Sequence, residues 1–318
     1  MESQVKPTTI NNDNYVLSEP ILFIVFNRLN TTKKVFESIK DAKPPKLYIA
    51  SDGPRDNKDD EKNKVLELRE YILKNIDWKC EVETLYREKN LGCKKAVSSA
   101  IDWFFLHEES GIILEDDCLP CKSFYRFCQE LLEKYRDDKR VSMISGDNFQ
   151  FNYKLNDDSY YFSYHNHIWG WASWSDRWKA DYDVDIKLYS EIKKQNGFLG
   201  IFHNKKDESY FLDIFNKVYN NGIDTWDYQW SFGSRIHGRV SILPNQNLIS
   251  NIGFGEEGTH TKEVTSLANM DVEEIKFPLK HPEIFIASSK LDMRYFNKFL
   301  KPDIFDKFME KIKKTFNL

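Results

Sequence analysis

The chain has 318 residues, of which 41% are hydrophobic and 15% aromatic, so it can bury a large core as one big domain or as two joined lobes. Its 46 basic and 50 acidic residues give a formal net charge of −4. The chain therefore lacks the excess of positive charge that is typical of proteins whose main partner is a nucleic acid. No segment approaches the roughly 20 apolar residues of a membrane span, and the polar N-terminal stretch lacks the apolar core of a signal peptide, so we expect a soluble, cytoplasmic protein.

Short apolar runs alternate with helix-like stretches from residue 20 to about 146. The predicted strands are 21–26, 46–50, 81–86, 111–114 and 141–145, and the predicted helices lie near 30–40, 60–75, 93–107 and 122–136. Strands and helices that alternate at intervals of about 30 residues are typical of a largely parallel sheet with right-handed crossovers. We therefore predict an α/β fold in which helices flank a mostly parallel central sheet.

The stretch from Gly111 to Cys121 carries the strongest functional signal. Its short apolar run reads as a buried strand and ends in three consecutive carboxylates, Glu115, Asp116 and Asp117. Adjacent acids repel one another unless a cation lies among them, and Mg²⁺ and Mn²⁺ favour oxygen ligands. The alternative is an acidic loop that water solvates. We favour a metal site, because a solvated loop seldom follows a buried strand so directly.

Polar side chains also follow the first three predicted strands. Asn27 and Arg28 follow the first strand, Asp52 follows the second, and Arg87 and Asn90 follow the third. The carboxyl ends of parallel strands share one edge of a sheet, where open α/β folds bind their ligands. Each residue alone has an ordinary explanation as part of a turn or a helix entry. Together they predict a polar crevice that matches a phosphate and a ribose in size.

The five cysteines favour free thiols over a disulfide or metal role. Cys118 and Cys121 match the C-x-x-C pattern, but a zinc site would need two more ligands and Cys128 supplies only one. A redox pair is disfavoured because the neighbouring carboxylates oppose thiolate formation. We predict that these cysteines are small packing residues.

Residues 253–258 match G-x-G-x-x-G literally, yet they do not predict a dinucleotide site. The segment lies outside any strand–helix–strand unit and carries two glutamates where a pyrophosphate would approach. A P-loop pattern is absent. We interpret this glycine-rich segment as a mobile loop that could act as a lid.

Aromatic residues become dense beyond residue 150. For Trp169, Trp171 and Trp174, stacking on a sugar and filling the core are equally supported by the sequence. In the cluster from 224 to 230, Asp224 and Asp227 could simply favour a helix N-terminus. Asp227 lies between two aromatic residues and is the best-placed lone carboxylate for proton abstraction in this half.

The chain beyond about residue 290 is rich in Lys and Phe at roughly helical spacing. This pattern predicts an amphipathic helix that packs on the body of the protein. Weak peripheral association with an anionic membrane, at its inner face, is the lesser alternative.

In this order and spacing, the motifs resemble those of nucleotide-sugar glycosyltransferases with the GT-A fold. The chain is most similar to the group around N-acetylglucosaminyltransferase I and to its haemolysin-like bacterial sugar transferase relatives. The resemblance runs from about residue 20 to residue 262. It is carried by residues 20–28, 51–55, 90–92, 113–117 before Pro120, 169–172, 226–227 before Trp230, and 251–255 with His260.

The resemblance implies a GT-A type α/β fold with an aromatic-rich, acceptor-side lobe. It implies four segments: a flexible tail over 1–19, a nucleotide-sugar-binding subdomain over 20–150, an acceptor-binding and catalytic subdomain of the same domain over 151–285, and a C-terminal amphipathic helical segment over 286–318.

Roles for the acids and the first-strand arginine follow from the same resemblance. Arg28 and Asp52 match positions that hold the ribose, phosphate and base of the nucleotide. Asp117 matches the direct ligand of a Mn²⁺ or Mg²⁺ cofactor. Glu115 and Asp116 match residues around the ribose and the metal-bound water.

The second half of the chain supplies the remaining matches. Asp227 matches the catalytic base of this inverting group, with Asp224 as a rival and His260 as a weaker one. Residues 252–261 resemble a segment that closes over the donor, and His260 would then touch the diphosphate or the acceptor. The residues assigned to the acceptor side or the lid are Trp169, Trp171, Asp224 and His260.

The implied activity is that of a hexosyl- or N-acetylhexosaminyltransferase. It would move a sugar from a nucleotide-diphosphate donor, expected to be a UDP-sugar, to a hydroxyl of a glycan or lipid-linked glycan in bacterial surface polysaccharide assembly. Two other classes stay open. A sugar nucleotidyltransferase usually has a basic, glycine-rich loop after the first strand, where residues 27–30 read Asn-Arg-Leu-Asn. A non-catalytic carbohydrate-binding protein would use the tryptophans alone.

Overall fold

A mixed sheet of eight strands lies at the centre of the molecule. The computed structural model describes residues 15–58, 60–202, 204–254 and 267–300. The strands are β1 (Ile21–Val25), β2 (Lys46–Ser51), β3 (Glu81–Tyr86), β4 (Ser110–Glu115), β5 (Cys118–Pro120), β6 (Val141–Ser145), β7 (Tyr160–Ser163), β8 (Trp171–Trp174), β9 (Val240–Pro244) and β10 (Ile249–Asn251). The sheet has the order β3-β2-β1-β4-β8-β6-β9-β7, and β5 and β10 form a separate two-stranded ribbon.

The helices lie between these strands in the chain. They are α1 (Leu29–Ala42), α2 (Glu61–Asn75), α3 (Gly92–His107), α4 (Lys122–Lys134), α5 (Ser175–Asp181), α6 (Tyr189–Lys194), α7 (Lys205–Tyr219), α8 (Asp227–Ile236) and α9 (Ser289–Tyr295), and a π-helical turn (Phe296–Leu300) follows α9. The five strands and four helices predicted for the first half are all present. No helix in the described part of the chain is long and apolar enough to cross a membrane.

The first four strands of the large sheet are parallel. β1 lies between β2 and β4, and β3 pairs with β2. β8 then enters the sheet antiparallel between β4 and β6, β9 pairs parallel with β6, and β7 closes the far edge antiparallel to β9. With helices packed against the sheet, the predicted α/β fold class with a mostly parallel central sheet is confirmed.

Alternating side chains of the central strands fill two core layers. Phe23 of β1 packs in the layer that includes α1 and α4, whereas its neighbour Leu22 packs in the layer that includes α3. This is the two-residue period of a strand that is buried on both faces. Because both faces are covered, the open edge at the carboxyl ends of β1–β4 is the place where polar side chains can collect.

The second half of the chain adds aromatic packing to this frame. Trp171, Trp178, Trp226 and Trp230 meet in the α3-side layer. A further cluster joins α6, α7 and α8 through Tyr189, Phe198, Phe211, Phe215 and Phe232. In the C-terminal segment, Phe296 is buried and Phe299 packs on Phe149 and Phe151, whereas residues 301–318 lie outside the described residues.

All five cysteines are free thiols, as predicted. Cys118, Cys121 and Cys128 are buried within the α1- and α4-side core layer. Burial and, for Cys118, the neighbouring carboxylates of Asp117 and Glu115 raise the pKa of these thiols. They therefore stay protonated and act as small packing residues.

Candidate active site

A crevice of about 420 Å³ opens at the carboxyl ends of β1–β4. The polar residues that follow these strands form one part of its lining, which we call the donor edge: Arg28, Asp52, Arg87, Asn90, Glu115, Asp116 and Asp117. A second part of the lining comes from the turn before β8, the entry to α8 and the residues after β10, and includes Trp169, Asp224, Asp227 and Gly253. The size is in the range of small-ligand and cofactor sites.

Asn27 is the member of the predicted set that does not line this crevice. Its Nδ2 atom donates to Glu61 Oε1 at 2.8 Å, and Glu61 also binds Arg55. Asn27 therefore supports the entry to α2, and the next residue, Arg28, reaches the site.

Arg28 lies between two of the three carboxylates at the end of β4. Its guanidinium binds Asp116 and also lies 2.9 Å from Asp117 Oδ2. Burial raises the pKa of Glu115, and the carboxylates of Asp117 and Asp116 raise it further. One guanidinium thus faces three acids, and the cluster keeps an affinity for additional positive charge.

The donor edge fits a divalent ion that is shared with a ligand. Asp116 Oδ2 is buried and has no hydrogen-bond partner among the described residues, and the available donor atoms at this point are carboxylate oxygens. The described residues contain no cluster of three or more His, Cys, Asp or Glu side chains arranged to hold a metal by themselves. Mg²⁺ is commonly bound by one or two carboxylates plus the phosphates of a substrate, so these carboxylates suit a metal that is shared with a phosphate-bearing ligand.

Asp52 and Asn90 are held together at the ends of β2 and β3. Asp52 accepts hydrogen bonds from the Gly53 and Leu91 amides at 2.9 and 3.0 Å and from Asn90 Nδ2 at 2.9 Å. Asn90 Nδ2 also donates to the Gly53 carbonyl. These contacts fix the loops, and burial raises the pKa of Asp52.

Arg69 of α2 supports this part of the donor edge and has no signal in the sequence. Its guanidinium donates to the carbonyl oxygens of Ser51, Asp52 and Arg87, and stacks 4.7 Å from the ring of Tyr86. Arg87 in turn donates to Ser99 Oγ at 2.7 Å. A mid-helix arginine carries no local pattern that would single it out.

Asp224 and Asp227 have different environments although both line the crevice. The carboxylate of Asp224 accepts the Cys93 and Lys94 amides at 3.1 and 2.9 Å, and thereby caps the N-terminus of α3. Asp227 is the first residue of α8, and the hydroxyl of Thr225 donates to its Oδ1 atom. Both oxygens of the Asp224 carboxylate are thus engaged by backbone amides of α3.

The core fixes the position of Asp227. Its neighbour Trp226 is only 2% exposed and stacks on Trp171 with ring centroids 5.7 Å apart. Because Trp226 is anchored in the α3-side core layer, the first turn of α8 has one position relative to the sheet. Thr225 then orients the carboxylate, and no local sequence pattern singles out this threonine.

The structure assigns different environments to the three tryptophans for which sugar stacking and core packing are equally supported by the sequence. Trp171 is 1% exposed and packs in the tryptophan cluster, so its assignment to the acceptor side or lid is corrected to a core role. Trp174 is also buried, and its Nε1 donates to the Leu132 carbonyl. Trp169 alone of the three lines the crevice. Gly170, with φ of +66°, turns the chain between Trp169 and β8.

The residues after β10 lie directly against the acids. The Ile252 amide donates to the Asp117 carbonyl at 2.8 Å, and a Cβ atom on Gly253 would lie 2.2 Å from Asp117 Oδ2. Phe254 packs edge-on against Trp169, with centroids 5.7 Å apart. The first part of the predicted lid thus begins at the donor edge. His260 and residues 255–266 lie outside the described residues.

No protein-family model matches the chain, and no curated protein matches it either. Among solved structures, it is similar to the mannosyltransferase PcManGT from Pyrobaculum calidifontis in complex with GDP-Man and Mn²⁺, with 13% identity, 53% of this chain and 49% of that chain covered, and a TM-score of 0.36. It is also similar to a UDP-glucose pyrophosphorylase complexed with UDP-glucose, with 11% identity, 71% and 90% covered, and a TM-score of 0.35.

A third similar structure is the glycosyltransferase GlyE of Streptococcus pneumoniae TIGR4, with 11% identity, 72% of this chain and 54% of that chain covered, and a TM-score of 0.31. The chain spans about half the length of this protein and of the mannosyltransferase. At these identities and TM-scores, none of the similarities assigns an activity to this chain.

Proposed function

We propose that this protein is a metal-dependent inverting glycosyltransferase that moves a sugar from a nucleotide-diphosphate donor, a UDP-sugar, to a hydroxyl of a glycan or lipid-linked glycan. The proposal rests mainly on the presence of the donor edge and of the separate carboxylate Asp227 in one crevice. Nucleotide-type polar groups and three acids lie along the donor edge, and a separate carboxylate, Asp227, enters from α8. By the family resemblance, we place the reaction in bacterial surface polysaccharide assembly at the cytoplasmic face of the membrane.

The donor edge would bind the nucleotide diphosphate. Asp52, Asn90 and Arg87 lie at the ends of β2 and β3, where the base and ribose would bind. Arg28 is the cation nearest the acids and would contact phosphate oxygens. Asp117 would hold the divalent ion, and Glu115 and Asp116 would lie around the ribose and the metal-bound water. When bound, the ion would offset the charge that develops on the departing diphosphate.

Asp227 would act as the general base. The acceptor hydroxyl gives its proton to the Asp227 carboxylate while its oxygen attacks the anomeric carbon. The bond from that carbon to the phosphate oxygen breaks, and its electron pair leaves with the diphosphate. Inversion requires the base on the face of the sugar opposite the leaving group, so an acid from the metal-binding cluster is on the wrong side. Thr225 orients the Asp227 carboxylate for this step.

The structure favours a transferase over a sugar nucleotidyltransferase at one point. α1 begins at Leu29, directly after Arg28, and the Arg28 carbonyl already accepts the Thr32 amide of the first helical turn. This leaves no room for a long glycine-rich loop after β1. A non-catalytic binding protein, the third class, would have no use for metal-dependent nucleotide binding.

The test combines calorimetry with a turnover screen. We expect UDP to bind only with Mn²⁺ or Mg²⁺, and a panel of nucleotide sugars to show metal-dependent hydrolysis of at least one member. Asp117→Ala should remove most of the metal dependence, whereas Asp213→Ala, which changes an exposed acid of α7, should not. Metal-independent UDP binding, or unchanged metal dependence in Asp117→Ala, would overturn the assignment. Formation of a nucleotide sugar from a sugar phosphate and UTP would instead identify a nucleotidyltransferase.

A further inference from the structure

A second cavity of about 190 Å³ lies next to the crevice. Ile168, Trp169 and Asp227 line both spaces, so the proposed base stands at the wall that the two share. The volume is that of about six water molecules in the liquid, which is small for an oligosaccharide and suited to a single ring.

The walls of this cavity are aromatic. Phe149 and Tyr295 stack with ring centroids 5.6 Å apart, and Trp169 meets Phe149 edge-on at 5.0 Å. The ring of His167 lies 4.6 Å from both Phe149 and Tyr295. Flat apolar faces with a few polar atoms between them are the surfaces on which sugar rings bind.

The polar atoms of the cavity point to a neutral ligand that carries hydroxyl groups. Among the described residues of the lining, Asp147 and Asp227 are the acidic side chains, and none is Lys or Arg. This disfavours a phosphate or a carboxylate. Asp147 is also no counter-ion for a cationic ligand, because its Oδ2 accepts the Trp169 amide at 3.0 Å and its Oδ1 lies 2.9 Å from His167 Nδ1.

His167 is the group that the mechanism does not use. Its side chain is 2% exposed, and its Nδ1 lies 2.9 Å from Asp147 Oδ1 without hydrogen-bond geometry. The other nitrogen, Nε2, is buried and has no hydrogen-bond partner within the described part of the chain. A buried imidazole nitrogen without a partner costs free energy, and a ligand hydroxyl in the cavity would satisfy it.

We propose that the second cavity is the acceptor subsite, in which one neutral sugar ring packs on Trp169 and Tyr295 while a hydroxyl other than the attacking one hydrogen-bonds to His167 Nε2. This inference rests on the proposed function, since it makes Asp227 the link between donor and acceptor. His167 binds the acceptor and takes no proton in the reaction. Asp147 is a positioning residue that acts through His167.

The experiment uses methyl glycosides as probes, because the natural acceptor is unidentified. Binding of a panel of neutral methyl hexosides and N-acetylhexosaminides is measured by saturation-transfer NMR, with and without UDP and Mn²⁺. The full chain is compared with His167→Phe, which keeps an aromatic ring but removes the hydrogen bond, and with His167→Gln, which keeps a polar group. Methyl glucosaminide and methyl glucuronide serve as the cationic and anionic controls.

We expect at least one neutral glycoside to bind the wild-type protein, about tenfold weaker binding in His167→Phe, and partial recovery in His167→Gln. Affinity for UDP with Mn²⁺ should be the same in all three proteins, which also shows that the variants are folded. Equal glycoside binding in His167→Phe, a preference for either charged control, or no glycoside binding to a protein that binds UDP would overturn the acceptor subsite. Absence of UDP binding with intact, His167-dependent glycoside binding would overturn the proposed function and leave the sugar site standing.

Discussion

Four strands that follow one another in the chain supply the donor edge, whereas the opposite side of the site is assembled from segments that lie far apart. Around Asp227, the structure brings together the turn before β8, the entry to α8 and the residues after β10. The donor edge is charged and held by hydrogen bonds between loops. The Asp227 side is aromatic and held by packing. Substitutions should therefore affect the two sides differently. Replacing a packing residue should lower stability, whereas replacing a polar residue should change ligand binding or turnover.

The largest effect should come from Trp171→Ala, which removes a fully buried ring from the tryptophan cluster. We expect the free energy of unfolding to fall by about 3–5 kcal/mol, the usual cost of truncating a buried aromatic residue. Trp169→Ala is the matched control, because that ring lines the crevice, and it should cost clearly less stability. Chemical denaturation of the two variants measures the difference. Similar losses in both would show that Trp169 is also a core residue.

The next effect, on turnover alone, is expected for Asp227→Asn. The amide keeps the shape of the side chain but cannot take the acceptor proton, so turnover should fall by roughly 10²-fold or more. UDP affinity and the free energy of unfolding should stay close to the wild-type values. Steady-state kinetics measures the turnover, calorimetry measures the UDP affinity, and chemical denaturation measures the free energy of unfolding. Near-normal turnover, or loss of UDP binding, would remove Asp227 from the role of base.

A smaller effect is expected for Gly253→Ala, at the point where the two sides of the site touch. The added Cβ would lie 2.2 Å from Asp117 Oδ2 and 2.6 Å from Arg28 Nη1, so the Asp117 side chain must move. Overpacking of this kind costs about 1–3 kcal/mol, and we expect roughly tenfold weaker metal-dependent UDP binding. Gly222→Ala is the control, because its new Cβ would lie 3.3 Å from the nearest atom, the Lys217 carbonyl oxygen. Unchanged UDP affinity would show that residues after β10 do not shape the donor site.

The donor edge was the easier part to predict, since each strand and the polar residue after it are adjacent in sequence. The run that ends in Glu115 forms β4, and Arg28, Asp52 and Asn90 reach the same crevice because parallel strands end at one edge. The same reasoning predicts that Asn27 lies at this edge. It points instead to Glu61, because neighbouring residues after a strand face different ways.

The Asp227 side was harder to predict because its contacts join residues that are distant in the chain. Trp169 and Trp171 have the same composition around them, but Gly170 turns the chain, so that one ring lines the crevice and the other enters the core. The pairing of Asp147 with His167 depends on the turn that leads into β8. The insertion of β8 antiparallel between β4 and β6 has no signature in the apolar pattern of the first half.

The smallest effect is expected for Asp224→Ala, and it decides between the two acids at the entry to α8. Asp224 accepts the Lys94 amide across 130 residues of sequence and thereby caps α3. Removal of a capping carboxylate costs about 1 kcal/mol, within a range of about 0.5–2. We expect that loss in the free energy of unfolding and a turnover close to the wild-type value in the folded protein. Asp224→Asn keeps an acceptor oxygen, so it should lose less stability than Asp224→Ala.

The two Asp224 variants are informative because they should lower stability and leave turnover unchanged, which is the opposite of what we expect for Asp227→Asn. A cap acts through the folded state as a whole, and its loss lowers stability without a specific effect on the chemical step. A base acts only in the transition state, and its loss lowers turnover without an effect on stability. If Asp224→Asn lowered turnover by roughly 10²-fold while its stability stayed intact, then Asp224 would be the base. Its bonds to the Cys93 and Lys94 amides would then have to break when the acceptor binds.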